Sequence, residues 1–177
     1  MDYFAQEQFI AQVDTNDNII GKVEKWQAHT EAILHRAFTV AIYFEDTLVL
    51  QHRKHLVFDT VFDITISSHQ IYKGNILQSD EEALMDTLQR EWNISEIIGK
   101  PVLKGTIYYQ ASDPFSKYTE HEMCRIYACQ VQQLPMPNFE FAYGFSLLDP
   151  KKIQDKNYPL FPLLAPWVKK TFEEGLL

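Results

Sequence analysis

Three histidines and two glutamates have the side-chain types to bind a metal ion. His29, His35, His69, Glu120 and Glu122 offer imidazole nitrogens and carboxylate oxygens. That donor mixture suits manganese, zinc or iron, whereas sites for magnesium or calcium are built from oxygen alone. Glu120 and Glu122 stand two apart, so in a strand they share a face. A solitary histidine beside an apolar run is more often packed or solvent-facing than a ligand, and a Glu-x-Glu unit is more often a solvated strand edge. Spacing does not join the five residues into one site.

Any such site needs elements to position it. Residues 80–92 carry the clearest helix signal: Ser79 is placed to cap the exposed amides, Glu82 to close a capping box, and Leu84, Leu88 and Trp92 recur every fourth residue as a buried stripe. Glu91 then lies at the helix end, able to reach inward. Residues 9–13 and 19–25 flank Thr15-Asn16-Asp17-Asn18, which has the composition of a turn and predicts a hairpin. Residues 37–44 and 48–51, joined by Glu45-Asp46-Thr47, predict a second. The run 62–66 reads as a strand leading to His69, and 103–110 and 122–130 as two more, with a loop at Ser112-Asp113-Pro114. Residues 135–166, rich in proline and aromatics, read as irregular cover. A last helix over about 164–172 would return Trp167 to the body. The expected fold class is α/β, a mixed sheet sandwiched between helices, in a single domain over residues 1–177.

Composition narrows the partners. With 177 residues, 46% of them hydrophobic, the chain has material for one real core. A formal net charge of −8 argues against nucleic acid, which rewards a concentrated positive surface. A small anion is a different case, because a metal and a few basic side chains neutralise it locally. The first residues lack the basic and apolar regions of a secretory signal, and no apolar run is long enough to span a bilayer. Cys124 and Cys129, the only cysteines, point to opposite faces of a strand and do not suit a disulfide. A cytoplasmic location, without membrane or nucleic-acid partners, is the expectation.

Several segments together carry a family resemblance. Lys25-Trp26-Gln27-Ala28-His29, Leu34-His35-Arg36-Ala37-Phe38, Leu50-Gln51-His52-Arg53, Ser67-Ser68-His69, Ala111-Ser112-Asp113-Pro114, Glu120-His121-Glu122 and Pro166-Trp167 closely resemble type I isopentenyl-diphosphate isomerases of the Nudix superfamily, in the family's order and over most of the chain. The resemblance implies a Nudix fold and a metal, manganese or zinc, held by His29, His35, His69, Glu120 and Glu122. It implies that Glu91 helps hold a magnesium ion carried with the substrate diphosphate, that Lys25 and Arg53 bind that substrate, and that Trp167 faces a developing carbocation, which an indole face stabilises. Glu122 would transfer one proton, supported by Tyr109. The partner implied is a small isoprenoid diphosphate, bound by a monomer or weak homodimer.

The chain also departs from the family. Ser67 stands where the family has its catalytic cysteine, and a hydroxyl is a far weaker acid than a thiol. The loop after Arg53 is shorter and lacks an expected lysine, for which Lys54 and His55 are the nearest replacements. Asp86 and Thr87 occupy helix positions that are often basic in the family. Two other readings follow: a Nudix hydrolase of a small diphosphate ester, which would need several helix carboxylates for magnesium, and a catalytically weak protein that binds metal and diphosphate.

Overall fold

The computed structural model describes residues 3–177. Its elements are β1 (Phe9–Val13), β2 (Ile19–Glu24), α1 (Lys25–Thr30), β3 (His35–Phe44), β4 (Thr47–Arg53), β5 (Phe62–Asp63), β6 (Ile66–Ser68), β7 (Tyr72–Lys73), β8 (Ile76–Leu77), α2 (Asp80–Trp92), β9 (Ile98–Ser112), β10 (Thr119–Val131), β11 (Ala142–Leu148), α3 (Pro150–Gln154) and α4 (Pro166–Glu173). Nine strands form one mixed sheet, and β7 and β8 pair separately as a small hairpin. β3 is the organising strand. It runs parallel to β10 over its whole length, with Glu122 opposite His35, and antiparallel to β1, β4 and β6.

Period-two alternation builds a core on each face of the sheet. From β10, Cys124, Ile126 and Ala128 enter one core with Trp167 and Val168 of α4 and Ile153 of α3. Tyr127, Cys129 and Val131 enter the other, with Leu84, Leu88 and Trp92 of α2. The expected sandwich is therefore present, and the two buried cysteines are free and belong to different cores. No helix among the described residues is long and apolar enough to cross a membrane.

α2 begins and ends as its sequence predicts: Ser79 Oγ accepts from Glu82 N, and Asn93 closes the helix in the left-handed region at φ 54°. Other expectations need correction. The arm expected over 19–25 ends at Glu24, whose carboxylate caps the short helix α1. The run 62–66 is two short strands broken at Thr65, where φ is 90°. There the Thr65 hydroxyl donates to Val49 O and accepts from Ile42 N, standing in for backbone pairing between β3 and β4. The segment 135–166 is not all irregular: β11 pairs antiparallel with β4, and α3 follows it.

Candidate metal centre and diphosphate cleft

The five candidate ligands come to the centre by four local routes. His29 sits in the last turn of α1, where Nδ1 lies 2.6 Å from the carbonyl of Lys25. His35 opens β3, its Nδ1 2.7 Å from the carbonyl of Ile33. A carbonyl can only accept, so both rings carry hydrogen on Nδ1 and turn the Nε2 lone pair inward, the tautomer a metal ligand needs. His69 follows β6. Glu120 and Glu122 project from one face of β10, as their spacing requires.

These side chains converge. The three imidazole centroids lie 4.8, 5.0 and 5.2 Å apart, and one ligand atom from each of the five residues lies within 4.8 Å of all the others. His29 Nε2 is 3.1 Å from Glu120 Oε2, and Glu122 Oε1 is 3.2 Å from His69 Nε2 and 3.5 Å from His35 Nε2. His35 Nε2 and Glu120 Oε2 are buried without a hydrogen-bond partner, an arrangement that is costly in a protein interior unless an ion completes it. Imidazole with carboxylate fits manganese, zinc or iron.

The electrostatics follow from burial and crowding. Burial pushes His69 well below the ordinary histidine range, helped by His35 and His29. Burial also acts to lower His29, but Glu120, the Lys25 carbonyl and Glu122 together outweigh it and the net shift is upward. Burial raises Glu122, yet the facing His35 imidazole and the Tyr109 hydroxyl together outweigh it and hold this carboxylate low. Tyr109 Oη donates to Glu122 Oε2 at 2.5 Å. Burial and the neighbouring carboxylates push that phenol well up, so it stays protonated.

A cleft opens from this cluster, lined by Lys25, Arg53, His55, Ser67, Glu91, Tyr109 and Trp167 among others, Tyr3 and Phe4 included. Its interior is narrow, about 40 Å³. Arg53 Nη1 and Trp167 Nε1 both donate to the fully buried Asp63, at 2.8 and 2.9 Å. The Arg53 guanidinium therefore lies 5.1 Å from the Trp167 ring, a cation against the indole face. Asp63 was not among the expected site residues, although an acid inside the apolar run 62–66 must be either exposed or paired. Lys25 Nζ donates to Gln8 Oε1. Lys54 points away, its Nζ bonded to the carbonyl of Phe139, and it does not line the cleft; His55, next in the chain, does. Asp86 also faces away, bonded to Gln78 beside Lys73, and so does not oppose an anion in the cleft.

At position 67 the hydroxyl is 2.8 Å from Thr39 Oγ1, which in turn lies 3.4 Å from Cys124 Sγ. A thiol thus stands one side chain behind the serine. It is buried, and burial together with Glu122 pushes it well above the usual thiol range, so it gives no thiolate to the cleft.

The fold is of Nudix architecture. Solved structures with this arrangement include a Deinococcus radiodurans protein, at TM-score 0.62 and 12% identity over 94% of this chain and 98% of that one. A MutT protein from Methanosarcina mazei aligns at TM-score 0.61 and 12% identity over 80% and 91%, and a MutT Nudix hydrolase from Burkholderia pseudomallei at 0.53 and 15% over 79% and 96%. In sequence the chain is similar to proteins named isopentenyl-diphosphate delta-isomerase. The one from Haloarcula marismortui is 35% identical over 88 residues, which is 48% of this chain and 46% of that protein. The one from Serratia proteamaculans is 24% identical over 153 residues, 85% of this chain and 81% of that protein. No family model matches the chain.

Proposed function

We propose that the chain is a metal-dependent isomerase that interconverts isopentenyl and dimethylallyl diphosphates. The observation that carries this reading is the double engagement of Glu122: one oxygen turns to the histidine cluster, and the other takes the Tyr109 hydroxyl in a cleft that also holds Trp167, Arg53 and Lys25. Moving the double bond requires adding a proton to the terminal alkene carbon and removing one from the carbon two positions along. Glu122, ionised and held by Tyr109, is the group suited to take and return a proton. His29, His35, His69 and Glu120 would hold manganese or zinc, which supplies positive charge that fixes the Glu122 carboxylate. Trp167 presents its indole to the tertiary cation formed between the two transfers, while Lys25 and Arg53 receive diphosphate oxygens. A ligand pocket for such a molecule needs roughly 300 Å³, so entry widens the cleft.

The hydrolase reading gains less support, because its chemistry uses several carboxylates of one helix. On α2 only Glu91 lines the cleft; Asp80 is bound to Arg125 and Tyr127, and Glu82 to Lys73. The test is incubation of the metal-loaded protein with isopentenyl diphosphate in deuterated water, followed by NMR. Deuterium in the allylic product is expected, and Glu122→Gln should abolish it with the fold intact. Released phosphate would favour hydrolysis, and unchanged substrate in a sample shown to bind it would favour a binding protein.

A further inference from the structure

Glu91 and His55 meet inside the cleft in a manner the proton transfers do not require. Their side chains are 1% and 9% exposed. Glu91 Oε1 accepts from Arg90 Nη2 at 3.0 Å. Its other oxygen, Oε2, faces His55 Nε2 at 3.5 Å, and neither of these two buried atoms has a hydrogen-bond partner. The imidazole is not free to turn elsewhere, since its ring is wedged against Phe4 and Phe141 at centroid distances of 5.6 and 5.9 Å. A buried carboxylate oxygen facing a ring nitrogen at this distance without a hydrogen bond is an incomplete pair, which a proton or a bound cation can complete. Two ligands of one cation, each bonded at about 2.0–2.2 Å, stand about 3.0–3.6 Å apart at ordinary coordination angles, and the observed separation falls in that interval.

We propose that His55 and Glu91 are the protein ligands of a second cation that enters with the diphosphate, and that the ring nitrogen selects manganese or zinc there in place of magnesium. The inference rests on the proposed function for the diphosphate and adds His55, and with it the identity of the ion. The resemblance implies magnesium at Glu91, but magnesium seldom accepts an imidazole, whereas manganese and zinc do. The surrounding charges explain why ion and anion bind together. Arg90 lies on Glu91, and Arg53 shares the cleft. These guanidiniums oppose a bare cation and favour one accompanied by phosphate oxygens, which they can bind in pairs.

Equilibrium dialysis of manganese against the purified protein, with inorganic pyrophosphate as the probe, tests this. One ion per chain is expected without pyrophosphate and two with it. His55→Ala should keep the first ion and an unchanged circular dichroism spectrum, yet bind the second more weakly by at least the roughly tenfold that losing even an outer partner of a metal site costs. His55→Asp should restore the second ion and move its preference from manganese towards magnesium. A second ion held equally well by His55→Ala, or none in the presence of pyrophosphate, would overturn the proposal. Because ions are counted without turnover, the two ideas fail separately. An inactive protein with a His55-dependent second ion loses only the isomerase reading, and an active isomerase whose second ion ignores His55 loses only this one.

Discussion

Position 67 and position 122 are chemically unequal partners for moving protons. Glu122 is ionised and fixed by Tyr109 and the histidines, whereas Ser67 offers an alcohol bonded to Thr39. An alcohol is too weak an acid to deliver a proton efficiently near neutrality, and a well-placed acid is worth about 10²–10⁴ in rate. Ser67→Cys is therefore expected to raise kcat by at least about tenfold with little change in KM, since the proposed diphosphate contacts, Lys25 and Arg53, are other residues of the cleft. The initial rate of deuterium incorporation measures this. An unchanged rate would show that the side chain at 67 does not approach the substrate, despite lining the same cleft. The buried thiol of Cys124 is no substitute: replacing it with Ala should leave the deuterium rate in the Ser67→Cys background within a factor of about two, because a group held so far above neutrality supplies no thiolate.

The hairpin β1–β2 matters to the site because α1 grows directly from its second strand and carries His29. Its turn is tied down by Asp17, whose carboxylate accepts from Arg36 Nε at 2.6 Å and from Arg125 Nη2 at 2.7 Å. Arg125 also binds Asp80 at the start of α2, so one acid links the hairpin, both central strands and the helix bearing Glu91. Asp17→Ala leaves two part-buried guanidiniums short of a partner, and alanine tolerates the left-handed φ of 60° poorly. The expected cost is about 2–4 kcal/mol, measured by urea denaturation, together with weaker binding of the first metal ion as α1 loosens. Residue patterns reveal the elements of this assembly better than its connections. The alternation Glu120, Glu122, Cys124, Ile126 predicts the face of β10, and Ser79 predicts the start of α2, because both signals are local. Thr65 breaks a run that reads as one strand because its hydroxyl binds two other strands, which local spacing does not encode. β11 was hidden by its glycine and by the prolines around it. Asp63 escaped notice as a site residue, and His55 was read only as a stand-in for a missing lysine, for the same reason as Thr65: their roles depend on Trp167 and Glu91, which are distant in sequence. The five-residue centre itself was joined by family resemblance, not by spacing.

At the scale of the whole molecule, the histidine and glutamate cluster could hold an ion that would act as a cross-link. Its candidate ligands come from α1, the start of β3, the residue after β6, and β10, so one bound cation would tie together segments spread from residue 29 to residue 122. The unfolded chain presents no such array, and an ion that binds only the folded state stabilises it by mass action, about 2.7 kcal/mol at a hundredfold excess over Kd. For a chain of this size that corresponds to a rise in Tm of roughly 5–11 °C. Manganese or zinc should therefore raise Tm in proportion to the logarithm of its concentration, and a chelator should reverse the rise. Magnesium at the same concentration should do much less, since three of the five donors are imidazoles. His35→Ala separates this from any general effect of divalent ions: its ring is fully buried, and its unpaired Nε2 faces the centre. The variant should start from a lower Tm because of the cavity and lose most of the metal-dependent increment. A His35→Ala protein that gained as many degrees as the parent would place the stabilising ion elsewhere, and the catalytic reading of Glu122 would then lose its structural basis.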